Sequence, residues 1–290
     1  AGYNKATGPL TFNLSANIGV VKNEVQKLSS PKSELFAGSN TDFGGFDVTR
    51  TKLGYVIQEF FGWKTDGLFQ NQAEIDQANA LDGDASTTFQ ANAAPGDIRF
   101  KDINNDGQIN ADDRTSLGSY LPKFNYGLNF SANYKSLDFT IFIQGVQGNK
   151  IYNGTKVLGQ GMLRLFGAQT DVLNAWTPDN VNTDIPRAVS GDPNQNTRTS
   201  DRFIEDGSYL RLKNLSIGYS IPNVVLTRLT RNTVSRLRIY VSSQNLITLT
   251  KYTGYDPEIG SRNGNTLTNG VDYGQFPSAR TVLAGIQLGF

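Results

Sequence analysis

Two segments of this sequence alternate between apolar and polar side chains without a break over eleven residues each. In residues 10–20, LTFNLSANIGV, every even position is apolar, and residues 124–134, FNYGLNFSANY, follow the same rule. Because successive side chains of a β-strand point to opposite faces, the alternation predicts two strands with one apolar and one hydrated face. A tilted strand needs about 9 to 11 residues to cross a bilayer, whereas soluble domains mostly use strands of about 5 or 6. Both segments therefore have the length of membrane-spanning strands.

Shorter segments of the same kind bring the predicted total to about seven strands. They comprise residues 137–143, 215–221, 237–241 and 282–290, together with a less regular segment from 53 to 61. The connections alternate between short, as at 135–136, and long, as at 148–206. Outer-membrane barrels have this organisation, with short turns on one side of the membrane and long loops on the other. The connection from 21 to 48 fits less well, since it is too long for a minimal turn.

Composition excludes several classes of site. The chain has neither cysteine nor histidine, which excludes disulfide bonds, a zinc site with its usual ligands and a nucleophile activated by histidine. It contains no run of about 18 apolar residues, so it predicts no transmembrane helix. It also lacks a Lys/Arg cluster with interleaved aromatic residues, so nucleic acid is not an expected partner. With 38% hydrophobic residues and 30 glycines, the composition favours an all-β protein with many turns.

Seven strands cannot form a closed barrel of the bacterial single-chain type, which has an even number of strands from about 8 upward. Open sheet edges are costly in hydrocarbon, because their backbone groups have no partner there. We therefore expect residues 1–290 to be the C-terminal part of a larger antiparallel transmembrane β-barrel. If Phe290 lies at the periplasmic end of the last strand, each preceding strand crosses in the opposite direction. This places the connections 62–121, 148–206 and 250–278 outside the cell.

The stretch DINNDGQINADD, residues 102–113, has the spacing of an EF-hand calcium loop. Five residues supply oxygen ligands at the appropriate positions: Asp102, Asn104, Asp106, Gln108 through its backbone carbonyl, and Asp113. Gly107 occupies the sixth position, where a sharp turn is needed. The loop ends on aspartate instead of glutamate, which resembles dockerin-type loops, and Asp112 could compete as the last ligand.

A bound calcium ion is the favoured interpretation of this stretch. Residues 62–121 contain 10 Asp/Glu and 4 Lys/Arg, and such an acidic connection suits a cation. We expect a structural role, because a bound ion offsets part of the entropy lost on ordering a long loop. The alternative is an Asx-rich surface turn, in which the same side chains make only local hydrogen bonds.

Four aromatic residues in the long connections are candidates for contact with a transported solute or a lid protein: Trp63, Tyr152, Trp176 and Tyr255. Aromatic rings stack on sugars and on other apolar surfaces. The alternative is that each ring anchors its own loop. The run YDPE at 255–258 is interpreted as a turn, and no catalytic residue is predicted.

Several stretches carry a resemblance to a known family: FFGWKTDGLFQNQAEID, the block 96–153, RFIEDGSYLRLKNLSIGYSIP, RIYVSSQNLITLTKYTGYDPEIG and YGQFPSARTVLAGIQLGF. Together they resemble the C-terminal third of SusC-like transporters, the SusC/RagA family. Members of this family are TonB-dependent outer-membrane importers of the Bacteroidota, which are Gram-negative bacteria.

The resemblance implies a barrel of roughly 22 strands with a plugged lumen. It also implies a SusD-like lipoprotein lid, energy supplied through TonB, ExbB and ExbD, and contact with outer-membrane lipid and the remainder of the same barrel. The plug domain is absent from these residues. The expected function is active import of a glycan or peptide nutrient without enzymatic activity. The alternative is a calcium-stabilised extracellular adhesin or carbohydrate-binding β domain, which would be soluble without detergent.

Overall fold

The computed structural model describes residues 2–30, 33–39, 43–164, 166–231, 233–261 and 264–290. In chain order, its strands are β1 (Gly2–Thr7), β2 (Leu10–Val20), β3 (Glu34–Ala37), β4 (Thr49–Lys52), β5 (Glu59–Gly62), β6 (Thr65–Leu68), β7 (Ile98–Phe100), β8 (Thr115–Ser119), β9 (Phe124–Tyr134), β10 (Leu137–Gln147), β11 (Lys150–Asn153), β12 (Ile204–Asp206), β13 (Tyr209–Ser220), β14 (Arg236–Thr250), β15 (Val271–Asp272) and β16 (Thr281–Gly289). The α-helices are α1 (Gln72–Asn79), α2 (Gly154–Gln160) and α3 (Asn223–Thr230). Among these described residues, no helix is both long and apolar enough to cross a membrane.

Seven strands form one antiparallel sheet in the order β1-β2-β9-β10-β13-β14-β16. The strands predicted at 10–20 and 124–134 are confirmed as β2 and β9, and they pair along their whole length. The register sets the apolar positions of neighbouring strands opposite one another. One row crosses four strands: Leu14, Phe130, Ile141 and Leu215. The sheet therefore has one apolar face and one polar face.

The prediction of a sheet strand over 53–61 is wrong. Within this segment β5 begins only at Glu59, and it belongs to a separate four-stranded sheet, β3-β4-β5-β8. Phe60 is completely buried because it packs in a core outside the large sheet. The seventh strand of the large sheet is instead β1, which a turn at 8–9 joins to β2.

This correction changes the connection between β2 and β9, which runs from 21 to 123, and none of its described residues belongs to the large sheet. The predicted loop 62–121 lies within it. The segment 21–48, which is too long for a turn between sheet strands, is the beginning of the same connection. The alternation of short and long connections is therefore unbroken along the chain.

Three long connections leave the same end of the large sheet, because every neighbouring pair of its strands is antiparallel. They are the first (21–123), second (148–208) and third (251–280) long connections. We refer to them together as the loop region, and to the end from which they leave as the loop end. The shorter connections lie at the opposite end, the turn end.

The loop region has hydrophobic cores of its own. The first core takes side chains from all three long connections: Phe43, Val48, Phe60, Tyr152, Val157, Phe203 and Val271. The second core joins the first and second connections: Trp63, Leu68, Ile98, Phe100 and Trp176. Parallel pairing of β11 with β15 adds backbone contact between the second and third connections. The loop region is therefore a packed structure and not a set of separate loops.

The polar face of the large sheet carries an ion pair near the turn end. Asp138 of β10 and Arg238 of β14 meet over β13, with Nε–Oδ1 and Nη2–Oδ2 distances of 2.8 and 2.5 Å. Gly218 of β13 lies beneath them, and a Cβ atom there would stand 2.5 Å from the Nε of Arg238. Glycine is thus needed for this close approach. The two charges neutralise each other on a face otherwise rich in amides and hydroxyls.

Candidate functional site in the loop region

Residues 102–108 form a tight turn held by side-chain oxygens. Asp102 accepts the Asn105 amide through Oδ1 at 2.6 Å and the Gly107 amide through Oδ2 at 2.8 Å. Asp106 accepts the Gln108 amide at 2.9 Å, and Gly107 has a φ of 81°. Hydrogen bonds from the Asn104 side chain and the Gln108 amide lower the pKa of the Asp106 carboxyl. Its carboxylate is therefore ionised at neutral pH.

Asp113, the last predicted calcium ligand, is committed to backbone groups. It is fully buried, and it accepts the Ile103 amide through Oδ1 at 2.8 Å and the Asn110 amide through Oδ2 at 2.7 Å. It also forms a capping box with Asn110. Within the described ranges, no three acidic residues gather closely enough to hold a metal ion. The first half of the loop thus fits the oxygen chemistry of calcium, whereas Asp113 would have to turn toward the ion.

Three of the four candidate aromatic residues lie inside the loop region. Trp63 and Trp176 are each 8% exposed and Tyr152 is 0% exposed. The indole of Trp63 donates to the Asn110 carbonyl at 2.7 Å, and that of Trp176 donates to Gln70 Oε1 at 2.9 Å. These rings anchor the loop region. Tyr255 is 73% exposed, so predicted contact with a solute or lid remains a proposal for this residue.

A buried carboxylate joins the first long connection to the second, which the sequence did not predict. Asp97 is fully buried, and Arg187 donates to it twice, at 2.7 and 2.9 Å. The Asn196 side chain donates to the same carboxylate at 3.0 Å, and the Ala94 amide donates at 2.9 Å. Four donors thus compensate for the burial of one charge.

Side-chain amides form hydrogen bonds with the backbone of β7, as a neighbouring strand would do. Asn196 Oδ1 accepts the Ile98 amide at 2.8 Å, and Gln90 Oε1 accepts the Phe100 amide at 3.0 Å. Gln90 also donates to Asn194 Oδ1 at 2.7 Å. These contacts fix the second long connection against β7, because buried backbone groups need partners.

A second charged cluster, also missed from the sequence, fixes the third long connection to the large sheet. Arg211 of β13 is 2% exposed, and it contacts Asp256 and Glu258 at 2.5 Å each. Lys213 and the Tyr209 hydroxyl both contact Glu258 at 2.8 Å. Periodicity offered no signal for this cluster, because Arg211 lies before the segment 215–221 that was predicted as a strand.

The carboxylates of this cluster are ionised in the folded protein. Burial raises their pKa values, but the hydrogen bond from Arg211 to Asp256 and those from Lys213 and Tyr209 to Glu258 outweigh it. The pKa values of Asp256 and Glu258 are therefore below their usual range. The YDPE run predicted as a turn is thus also the acidic half of a buried ion cluster.

A cleft of about 370 Å³ opens between the first and second long connections. Lys156 and Arg202 line it together with Thr65 and Thr183. Burial, and then the charge of Arg202, lower the pKa of Lys156. Arg202 is held by the Gln160 side chain at 2.8 Å. The cleft can accept a polar molecule, and its charges are already partly compensated by Asp184.

Comparison with known proteins reveals relatives of one kind. No protein-family model matches the chain. It is 37% identical to TonB-dependent receptor P3 of Formosa agariphila over 98% of its own length and 27% of the relative. It is 27% identical to TonB-dependent receptor SusC of Bacteroides thetaiotaomicron over 98% of its length and 25% of that protein. The RagAB peptide transporter shares its fold, with a TM-score of 0.74 and 24% identity over 100% of this chain and 28% of that one.

The chain spans about a quarter of the length of these relatives. Its large sheet, with one continuous apolar face, is a segment of a large antiparallel barrel wall, and the loop region is built from the connections between the wall strands. The similarity to TonB-dependent receptors covers the wall strands and the loop region alike. These 290 residues therefore belong to the SusC-like family of TonB-dependent receptors.

Proposed function

We propose that the complete protein imports a nutrient across the outer membrane of a Gram-negative bacterium, with energy supplied through TonB, ExbB and ExbD. One observation carries the proposal: the apolar face of the large sheet is uncovered over its whole width. Ile18, Val241 and Ile286, on three different strands, are 70%, 51% and 65% exposed. A soluble sheet buries such a face against a second layer, whereas a barrel wall turns it toward lipid.

We further propose that the nutrient is a glycan or a peptide and that a SusD-like lipoprotein covers the loop region from outside the cell. The similarity to SusC and to a protein described as a peptide transporter supports this proposal. In it, the three long connections, including 62–121, face the exterior. Tyr255 would lie where solute or lid can reach it. No covalent reaction is part of the proposed function.

Deletion of the full-length gene in a Bacteroidota strain that carries it tests the import function. We expect uptake of one labelled oligosaccharide or peptide from a panel to fall to background, and inactivation of TonB in the undeleted strain to have the same effect. Uptake is measured by counting label retained in washed cells. Normal uptake of the whole panel in the deletion strain would contradict the proposal. Release of the protein into buffer without detergent would favour an adhesin or carbohydrate-binding domain instead.

We also propose that calcium stabilises the first long connection at residues 102–113. The side-chain oxygens of Asp102, Asn104 and Asp106, the carbonyl of Gln108 and the positive φ of Gly107 support a loop that wraps a cation. Asp113 would complete the ligand set by exchanging a backbone hydrogen bond for the ion. Asp112 would compete for that role.

Removing both leading aspartates is expected to abolish stabilisation by calcium. In the full-length protein, calcium should slow proteolysis of the first long connection by about tenfold, since binding only the ordered loop stabilises it by mass action. The change Asp102→Ala with Asp106→Ala should remove this difference without preventing barrel insertion. The control is Asp84→Ala, because Asp84 lies in the same connection and its carboxylate accepts hydrogen bonds from Ser86. Equal cleavage of the unaltered protein with calcium and with chelator would refute the site.

A further inference from the structure

A cleft lies at the loop end of the large sheet, where its apolar face meets the loop region. Its volume is about 610 Å³. Phe124 and Gln147 line it, and the register places them opposite each other at the end of the apolar face. The other lining residues that matter here are Lys123, Lys150, Asp206 and Ser208. The cleft therefore has an apolar side that continues the apolar face and a charged side that belongs to the loop region.

Two glycines shape the charged side of the cleft. Gly148 has a φ of 82°, and a Cβ atom there would stand 2.8 Å from the Cγ of Lys123. Gly118 has a φ of 118°, and a Cβ atom there would stand 2.9 Å from the Cγ of Lys150. Each lysine stem thus lies against backbone that has no side chain, and a lysine stem packed in this way carries its ammonium group toward water.

The ammonium groups of this cleft are compensated only in part. Among the described residues, neither Lys123 nor Lys150 has a hydrogen bond or a close ion pair at its Nζ, although Asp206 lies opposite Lys150 in the pairing of β11 with β12. Asp206 is the acidic residue of the lining, and its Oδ1 accepts both the Ser208 amide at 3.0 Å and the Ser208 hydroxyl at 2.6 Å. Lys150 and the neighbouring Lys251 also act on this carboxylate, so positive charge exceeds negative charge around it.

We propose that this cleft binds the phosphorylated headgroup of a lipid in the outer leaflet of the outer membrane, with Lys123 and Lys150 contacting phosphate and Phe124 contacting the first acyl chain. The proposal rests on the proposed membrane location. Lysine is a common point-charge partner of phosphate, and basic pockets beside an apolar wall bind lipid headgroups. A free anion would explain the lysines but not the apolar side of the cleft. Aromatic residues such as Phe124 are typical of the interface between lipid and water.

Native mass spectrometry of the full-length protein in detergent tests this site with diphosphoryl lipid A as the probe. We expect bound lipid A, and about tenfold weaker binding after Lys123→Gln with Lys150→Gln, because two cations near the headgroup are lost. The matched control is Lys135→Gln, which removes a lysine at the turn end and should leave the affinity unchanged. Chemically dephosphorylated lipid A should bind the unaltered protein as weakly as diphosphoryl lipid A binds the double variant.

Two further measurements distinguish the possible failures. Inorganic phosphate at millimolar concentration should not displace the lipid; if it does, the site takes a free anion and the lipid proposal is wrong. Equal affinities of the double variant and the unaltered protein for diphosphoryl lipid A would also overturn it. Detergent extraction of the unaltered protein from outer-membrane fractions is measured in parallel. If the protein is absent from the outer-membrane fractions, the membrane location itself is refuted. If the protein is present there but binds diphosphoryl and dephosphorylated lipid A equally, only this site is refuted.

Discussion

Replacing Arg211 with alanine is expected to release the third long connection from the loop end of the large sheet. The guanidinium group is buried between Asp256 and Glu258, with side-chain exposures of 2%, 8% and 24% for the three residues. Its removal leaves the buried Asp256 without its main partner and Glu258 with only Lys213 and Tyr209, and breaking a buried pair typically costs about 3 to 5 kcal/mol. Hydrogen exchange of the full-length protein, followed by mass spectrometry, should show residues 251–280 exchanging at least about a hundredfold faster.

Two variants serve as controls for this prediction. Lys213→Gln removes a cation that contacts Glu258 alone and is itself 24% exposed, so it should cost about 1 kcal/mol or less. Arg211→Lys keeps the charge but loses the planar fork that contacts both acids, and it should restore only part of the protection. Unchanged exchange of 251–280 in Arg211→Ala would show that this cluster does not hold the third connection.

The same cluster predicts the direction of a pH effect. Asp256 and Glu258 have pKa values below their usual 3.8 and 4.5 in the folded protein. A carboxyl whose pKa is lowered by folding stabilises the folded form above its unfolded pKa and loses that contribution as the pH falls. Protection of 251–280 should therefore decline below about pH 4.5 in the unaltered protein. The decline should be smaller in Arg211→Ala, because the hydrogen bond that lowers the pKa of Asp256 is gone, whereas Lys213 and Tyr209 still lower the pKa of Glu258.

Replacing Asp97 with alanine is expected to separate the first and second long connections. The substitution leaves Arg187 and Asn196 without their shared acceptor at a fully buried position. We expect a loss of about 3 kcal/mol in local stability, since breaking a buried pair strands its partners. Limited proteolysis and hydrogen exchange should both show faster opening around 90–100 and 187–198. Barrel insertion should be unaffected.

Asp66→Ala is the matched control for this prediction. Like Asp97, Asp66 pairs with an arginine, and it lies 3.0 Å from Arg99 of the same connection. Unlike Asp97, the Asp66 side chain is 60% exposed, and that of Arg99 is 36% exposed. An exposed pair contributes about 0 to 1 kcal/mol, so this variant should behave like the unaltered protein. Similar effects of the two substitutions would show that burial of Asp97 does not determine the stability of the junction.

Wall strands could be predicted where the alternation was regular. The bounds of β2 and β9 agree with the periodicity because one lipid-facing and one hydrated face determine every position. Strand β1 escaped prediction because Lys5 and Thr7 share its apolar side with Tyr3 and break the pattern. The segment 53–61 was misassigned because Phe60 packs in the first core of the loop region, while Tyr55 is exposed. Periodicity alone does not show which core a side chain joins.

The candidate sites show the same limit of prediction from local sequence patterns. The hydrogen bonds of residues 102–108 are those of the Asx-rich turn that was the alternative interpretation, because that chemistry is local, and the calcium ion favoured from the spacing stays a prediction. The partners of Arg211 and Asp97 lie 45 and 90 residues away in sequence, and only the packed loop region brings them together. Trp63 and Trp176 were candidates for contact with a solute because a sequence does not distinguish an exposed aromatic residue from one that forms a core.

The first core of the loop region draws on all three long connections, and this constrains how the loop region can move. A single connection cannot swing away as an independent flap, since it would pull its own side chains out of a core shared with the other two. A large movement of one long connection must therefore involve the other two. Disturbing any one of them would be transmitted to the core that all three share.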